Sequence, residues 1–312
     1  LLEPLYIAAS TACGKTALAI SLAEKIKGEI INADAFQLYA GIPVCTAQPT
    51  EEESTRVPHH LFGSLSPTQA SNAGQYQKLA QQKIQEVQSR GHRPIIVGGS
   101  GLYLKALTTG LAELPRADLK LREELALRSA EERVQWLLRL DPNAAENVPL
   151  SNDRYVSRAL EICLLTGQPQ SELRQNWQKQ HRPFFGVLLV RSKEELWQRI
   201  YNRVDAMIAN GLVDEVRLLL QRHGLSPAAA NDSVLQECFP TAHQAIGIKQ
   251  IIAYLRDELT LPEAVEQMKL ITRQYAKRQS TWFRREKGFH IINVQAETAQ
   301  KVLIEAVKAM LK

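Results

Sequence analysis

The sequence predicts an α/β fold, a parallel sheet flanked by helices, with a helical insertion midway along the chain. Three observations predict it. Short apolar runs at "PLYIAAS", "GEIINADA" and "RPIIVGG" end in turns, and helical patterns alternate with them. The first turn, within "IAASTACGKTALAI", nearly spells the G-x-x-x-x-G-K-[ST] loop that opens a helix against a phosphate. From 113 to 183 the strand signal disappears and helical periodicity replaces it.

In chain order, "PLYIAAS" is a short buried strand and "KTALAISLAEKI" a helix with Leu18, Leu22 and Ile26 on one face. "GEIINADA" is a second strand. "RPIIVGGSGLYLKAL" is a third, followed by a Gly-rich turn and a helix. Residues 118–140 and 153–180 read as helical, with "DPNAAENVPLSND" as the loop between them. A strand returns at "FFGVLLV" (184–190). After it come "KEELWQRIYNRVDAMIANG", capped by Gly211, and "LVDEVRLLLQRHG", capped by Gly224. This divides the chain into a core, 1–112 with 184–312, and an insertion, 113–183.

The 312 residues are 45% hydrophobic, enough for a sizeable core and too many for a disordered chain. No apolar run has the length of a membrane span, and no signal peptide is visible, so a soluble cytoplasmic protein is expected. Four scattered cysteines without a C-x-x-C pair argue against a disulfide scaffold or a structural zinc site. Net charge is +5, and the most basic stretch is "TRQYAKRQSTWFRREK", whose one acid is Glu286.

Several stretches could carry chemistry. A helix start preceded by small residues offers unpaired N–H groups and a favourable dipole to an anion. Gly14 permits close approach, Lys15 adds charge, the Thr16 hydroxyl can hold Mg²⁺, and Thr11 adds a second hydroxyl. Ala9 occupies the first glycine position and is expected to strain the loop if a positive φ is needed there. Cys13, at a helix N-terminus beside Lys15, is expected to have a lowered pKa, so that an alkylating reagent inactivates the protein and a phosphate ligand protects it. Asp34 at the end of the second strand is a base, a metal ligand or a helix N-cap. "VGGSGLYLKAL" has two glycines after a strand, then Ser100 and Gly101 opening a helix, and reads as a tight turn with close helix packing. His59 and His60 read as structural or as phosphate contacts, not as a metal pair. Arg154 and Arg158 share a helix face, as do Arg273 and Lys277. Tyr275, Trp282 and Phe283 interleave with charges, which suits a looped nucleic acid or, alternatively, a solvated helix with its aromatics turned inward.

The stretches "ASTACGKTALA", "NADAFQLYAGIPVCTAQPT", "VPHHLFG", "IIVGGSGLYLKAL", "NDRYVSRALEI", "AIGIKQI" and "TRQYAKRQSTWFR" stand in the order found in the tRNA dimethylallyltransferases, which the chain resembles over nearly its whole length. The resemblance implies a P-loop NTPase-like core with a helical insertion that contacts tRNA. It also implies transfer of a dimethylallyl group from its diphosphate to N6 of the adenosine 3′ of the anticodon, position 37, with Mg²⁺ as cofactor and the chain acting as a monomer. By the same resemblance Ala9, Ser10, Thr11, Ala12, Cys13, Gly14, Lys15, Thr16 and Arg203 bind the diphosphate, and Thr16 holds the metal. Asp34, Thr11 and Arg203 are catalytic, Asp34 as the general base. Asp34, Ala35, Phe36, Gln37, Ser100, Arg154, Tyr155, Val156, Ser157, Arg158, Gln244, Ala245, Ile246, Gly247, Ile248 and Lys249 match contacts to tRNA. The chain departs from the family at Ala9 for glycine, Ser10 for proline, Cys13 for serine, Ala35 for serine and Ile248 for tyrosine. The alternative is an adenylate isopentenyltransferase acting on free AMP, ADP or ATP. The insertion and the basic 273–287 segment favour tRNA, because a free nucleotide requires neither.

Overall fold

The computed structural model describes residues 2–111, 114, 115, 118–178, 184–295, 304, 305 and 307. Among them six strands form one all-parallel sheet: β1 (Leu5–Ala9), β2 (Gly28–Asn32), β3 (His59–His60), β4 (Arg93–Gly98), β5 (Phe185–Val190) and β6 (Phe289–Asn293), in the order β3-β2-β4-β1-β5-β6. The centre is β1, paired with β4 from Leu5↔Ile95 and with β5 from Leu5↔Phe185.

Both faces of the sheet are covered, which is why these strands read as unbroken apolar runs. Side chains alternate across a strand. Leu5, Ile7 and Ala9 therefore join Leu18, Leu22, Val187 and Ile200 on one face. Tyr6 and Ala8 join Tyr76, Ile96, Leu104 and Phe283 on the other. A separate helical cluster, including Tyr39, Ile42, Leu212, Val216, Phe239, Ile248, Ile251 and Met268, packs the 36–46 and 204–268 regions together.

The chain divides into two compact units, Leu1–Leu107 with Pro183–Lys312, and Thr108–Arg182. The second has its own core of Leu125, Leu137, Val148, Val156, Leu160 and Cys163. Its buried Glu161 accepts from the Arg122 guanidinium, from Arg158 Nη1 at 2.6 Å and from the Asp118 N–H at 2.8 Å. The stretch read as a loop contains a one-turn helix, Ala144–Asn147.

Other elements differ from the sequence reading. The Ala73–Ser89 helix went unread because its apolar positions are sparse, with only Tyr76, Ala80 and Val87 buried. β6 was missed because only part of this edge strand is inward: Phe289 and Ile292 pack against the core, whereas His290 is exposed and Ile291 is 64% exposed. Gly211, at φ 87°, is the N-cap of the Leu212–Arg222 helix, while Asn210 caps the Lys193–Ala209 helix before it. Gly224 follows the C-cap His223 at φ 67°.

Candidate active site

The phosphate loop joins β1 to the Lys15–Ile26 helix at the carboxyl edge of the sheet, where parallel α/β sheets bind ligands. Gly14 caps that helix at φ 91°, a region side chains disfavour. The loop's other left-handed residue is Ala12, at φ 64°, and not Ala9. Ala9 is extended and paired with Leu189, so the strain expected at the missing glycine does not arise.

Lys15 is 7% exposed, and burial pushes its ammonium pKa down. The Asp34 carboxylate acts against that shift, while Arg203 adds to it. Arg203 is likewise lowered by burial and supported by Asp34. Lys15, Asp34 and Arg203 thus come together within electrostatic reach although they lie on three separate segments. Arg203 also donates from Nη2 to the Thr46 carbonyl at 3.4 Å. Gln37 donates to the same carbonyl at 3.0 Å and to that of Ala47 at 2.7 Å.

Asp34 stands just past β2, held by its backbone: its N–H donates to Asn32 Oδ1 at 2.8 Å. Its own Oδ1 accepts from the Phe36 N–H at 3.2 Å, which caps a turn and not a helix. Ser100 fixes the segment from the other side, accepting the Ala35 N–H at 2.9 Å while its own N–H donates to Ala33. Tyr275 reaches this region from the Leu261–Phe283 helix. Burial and then the Asp34 charge raise its hydroxyl pKa, with Ser100 and Gln279 side chains opposing.

The turn after β4 leaves no room for side chains. A Cβ on Gly98 would stand 2.0 Å from the Ala33 carbonyl oxygen, and one on Gly101 would stand 2.2 Å from Trp282 Nε1. Close packing explains these glycines. The aromatic residues of the basic stretch turn inward: Phe283 is in the core, and Trp282 packs beside it. Lys277, Arg278, Arg284 and Arg285 are exposed. Arg273 stacks over Trp197 at 4.7 Å and also faces the Tyr201 ring.

Two guanidinium groups at the loop escaped the sequence reading. Arg191, directly after β5, donates from Nε to the Cys13 carbonyl at 3.0 Å and is braced by Glu195. Arg199 donates from Nε to the Ala12 carbonyl at 2.8 Å. The signal was available, because Arg199 and Arg203 are four apart on one helix.

Cys13 contradicts its expected reactivity. It is 2% exposed, and its pKa is raised: burial outweighs the opposing pull of Lys15, Arg191 and Arg199. The histidines are structural. His60 pairs with Glu29 at 2.6 Å, and His59 Nδ1 lies 2.8 Å from the Val57 carbonyl. Among the described residues no group of three or more His, Cys, Asp or Glu could hold a metal ion.

The residues matched to tRNA contacts divide by exposure. Arg154, Tyr155 and Gln244 are exposed. Val156, Ala245 and Ile248 are core side chains, so only their backbones could meet RNA. Ser157 and Ile246 are partly buried, and Gly247, at φ 118°, turns the chain before Ile248. Arg158 is tied to Glu161 and the Pro115 carbonyl, and Lys249 to Asp232.

A family model described as IPP transferase matches residues 37–286. A tRNA dimethylallyltransferase of Geobacter metallireducens is 41% identical over 284 residues, 88% of this chain and 87% of that protein. One of Pelotomaculum thermopropionicum is 39% identical over 301 residues, covering 94% and 91%. Among solved structures, a eukaryotic dimethylallyltransferase captured acting on tRNA is similar with a TM-score of 0.82 and 28% identity, over 100% of this chain and 80% of that one. A full-length tRNA isopentenylpyrophosphate transferase of Bacillus halodurans matches with a TM-score of 0.69 and 33% identity, covering 99% and 97%.

Proposed function

The chain belongs to the IPP transferase family, and on that premise we propose its reaction: transfer of a dimethylallyl group from dimethylallyl diphosphate to N6 of adenosine 37 in tRNA, with release of diphosphate. The reading rests on the family match and on the buried Lys15 and the Arg203 guanidinium lying within reach of the Asp34 charge at the end of the phosphate loop. One side of the site is built for an anion, and the other presents a carboxylate.

As the allylic C–O bond breaks, negative charge grows on the diphosphate. The loop N–H groups, Lys15 and Arg203 are placed to stabilise that charge without reorganising. As the new C–N bond forms, the exocyclic amine must lose a proton, and Asp34 is the base placed to take it. The adenine must leave its stack to reach the carboxylate. Exposed Arg154, Tyr155 and Gln244 are the side chains offered to the RNA. Action as a monomer is part of this proposal.

Mg²⁺ favours hard oxygen ligands and keeps waters alongside substrate phosphates. The Thr16 hydroxyl at the helix start is such an oxygen, and the lack of a carboxylate cluster among the described residues suits an ion that arrives with the diphosphate. When bound, it would supply further charge neutralisation on the leaving group.

The test is prenyl transfer with Mg²⁺ and dimethylallyl diphosphate, with unmodified tRNA and AMP offered in parallel and nucleoside mass read out. Transfer to tRNA is expected. Transfer to AMP alone would overturn the RNA reading. Asp34→Asn should lower the transfer rate about 10²–10⁴-fold while RNA binding persists; an unchanged rate would remove Asp34 as the base.

A further inference from the structure

Gln279 lies in the Leu261–Phe283 helix and is 5% exposed. Its side-chain amide is used at both ends. Oε1 accepts the Thr11 N–H of the phosphate loop at 2.8 Å, and Nε2 donates to the Gly99 carbonyl at 3.0 Å. These two partners fix which way the amide faces. Gly99 precedes Ser100, whose hydroxyl and N–H hold the backbone on both sides of Asp34. One buried amide therefore joins the loop that takes the anion to the turn that holds the carboxylate.

The spacing leaves little freedom. A Cβ on Gly99 would stand 2.4 Å from Gln279 Nε2. The bridge also requires a group that both accepts and donates. A carboxylate could accept from Thr11 but would set an oxygen against the Gly99 carbonyl; an apolar side chain would leave a buried N–H and a buried C=O without partners. A helix position facing only the core would need neither property.

We propose that Gln279 is a positioning residue that couples the two substrate sides, transmitting occupancy of the diphosphate loop to the Asp34 turn and the reverse. The inference rests on the proposed prenyl transfer to tRNA. When diphosphate settles the loop, the Thr11 N–H is held in place, and Gln279 holds Gly99 and Ser100 with it. The RNA-facing turn then needs less ordering when adenosine arrives. Such coupling is reciprocal, because each ligand must change the other's affinity by the same factor.

The experiment measures affinity for an unmodified anticodon stem-loop RNA carrying adenosine 37, with and without inorganic diphosphate and Mg²⁺, by fluorescence anisotropy. In the wild type diphosphate is expected to tighten RNA binding about 5-fold or more, and RNA to tighten diphosphate binding equally. Gln279→Met should reduce both factors to about 1 while each ligand still binds alone. Ser280→Ala removes the neighbouring contact between Ser10 and Ser280 hydroxyls at 2.8 Å and leaves the amide bridge; it should keep the coupling. If Gln279→Met does not fold, Gly99→Ala opens the same bridge from its other end. Absence of coupling in the wild type, full coupling in the bridge variant, or equal loss in Ser280→Ala would each overturn the proposal. A wild type that prenylates tRNA without coupled binding would defeat this inference alone, whereas one that prenylates no tRNA would defeat the function beneath it.

Discussion

Arg199 donates from Nε to the carbonyl of Ala12, the one alanine in the phosphate loop with a left-handed backbone. The bond turns that carbonyl toward the guanidinium, and Arg191 does the same for Cys13. With these carbonyls held, the Thr11 N–H bonds to Gln279 and the Cys13 N–H to the Ser10 carbonyl. It is the first-turn N–H groups of the helix that remain for an anion. The two arginines thus keep the loop in its binding shape and place positive charge beside it.

Replacing Arg199 with alanine should therefore weaken diphosphate use more than turnover. A hydrogen bond from a charged donor contributes about 1.5–3 kcal/mol, so kcat/KM for the prenyl donor should fall about 10–100-fold, chiefly through KM. Arg199→Lys keeps the charge but cannot reproduce the Nε geometry, and should recover only part of the loss. Steady-state kinetics with the donor varied checks both. Full recovery by lysine would mean that charge alone matters.

Ala9→Gly restores the residue usual in the phosphate-loop pattern, yet the strand conformation of Ala9 gives glycine no advantage. It should leave donor KM unchanged and destabilise the protein by about 0.5–1 kcal/mol through added unfolded-state freedom. Ala12→Gly should act in the opposite direction, because Ala12 occupies the left-handed region at φ 64°. Denaturant melts of the two variants decide between them; an improved KM for Ala9→Gly would refute this account.

Cysteine labelling should follow burial. Cys238 is partly accessible, whereas Cys13, Cys45 and Cys163 are buried. A maleimide at neutral pH should modify Cys238 first and Cys13 only when the protein unfolds, whether or not diphosphate is present. Intact-protein and peptide mass spectrometry over time would show the order. Early labelling at Cys13 would contradict the raised pKa.

Glu29 gives the acid limb of stability a definite source. Burial pushes its carboxyl up, but hydrogen bonds from Arg90, His60 and His92 outweigh that and hold it at about 2, below the ordinary 4.5. A carboxyl depressed in the folded state stabilises above its unfolded pKa, and the contribution is lost as pH falls from about 4.5 to about 2. Melting temperature should drop across that window, and Glu29→Gln should flatten the drop while lowering stability at neutral pH. A parallel curve for the variant would assign the acid transition elsewhere.

Much of this was legible in the sequence for a physical reason. Buried parallel strands such as "LYIAA" and "RPIIVG" announce themselves because both faces are covered, and the lysine–threonine pair after Gly14 marks a helix opening on an anion. Asp34 was legible as a position, but its roles as base or cap were not separable, because both use the same short carboxylate. Arg191, Arg199 and Gln279 were not legible as site residues. Each acts on backbone atoms far away in sequence, Gln279 reaching back 268 positions to Thr11, and local pattern carries no record of such a partner. Cys13 misled for a related reason: the charges that lower a thiol pKa are sequence neighbours or nearby cations, while the burial that outweighs them is tertiary.

The central strand has a consequence for biosynthesis. β1 pairs on one side with β4, ninety residues on, and on the other with β5, about twice as far, across the entire inserted unit. At ribosomal rates of about 5–20 residues per second, roughly 5–18 s pass between the emergence of β4 and that of β5. During that interval the half-sheet of β2, β4 and β1 would present an apolar strand with an unpaired edge, the kind of surface that recruits a second nascent copy or a chaperone. The inserted unit, with its own core, can fold while that edge waits. Its translation then acts as a delay built into the gene, and pausing or shortening it should alter the yield of soluble chains more than the activity of those that succeed.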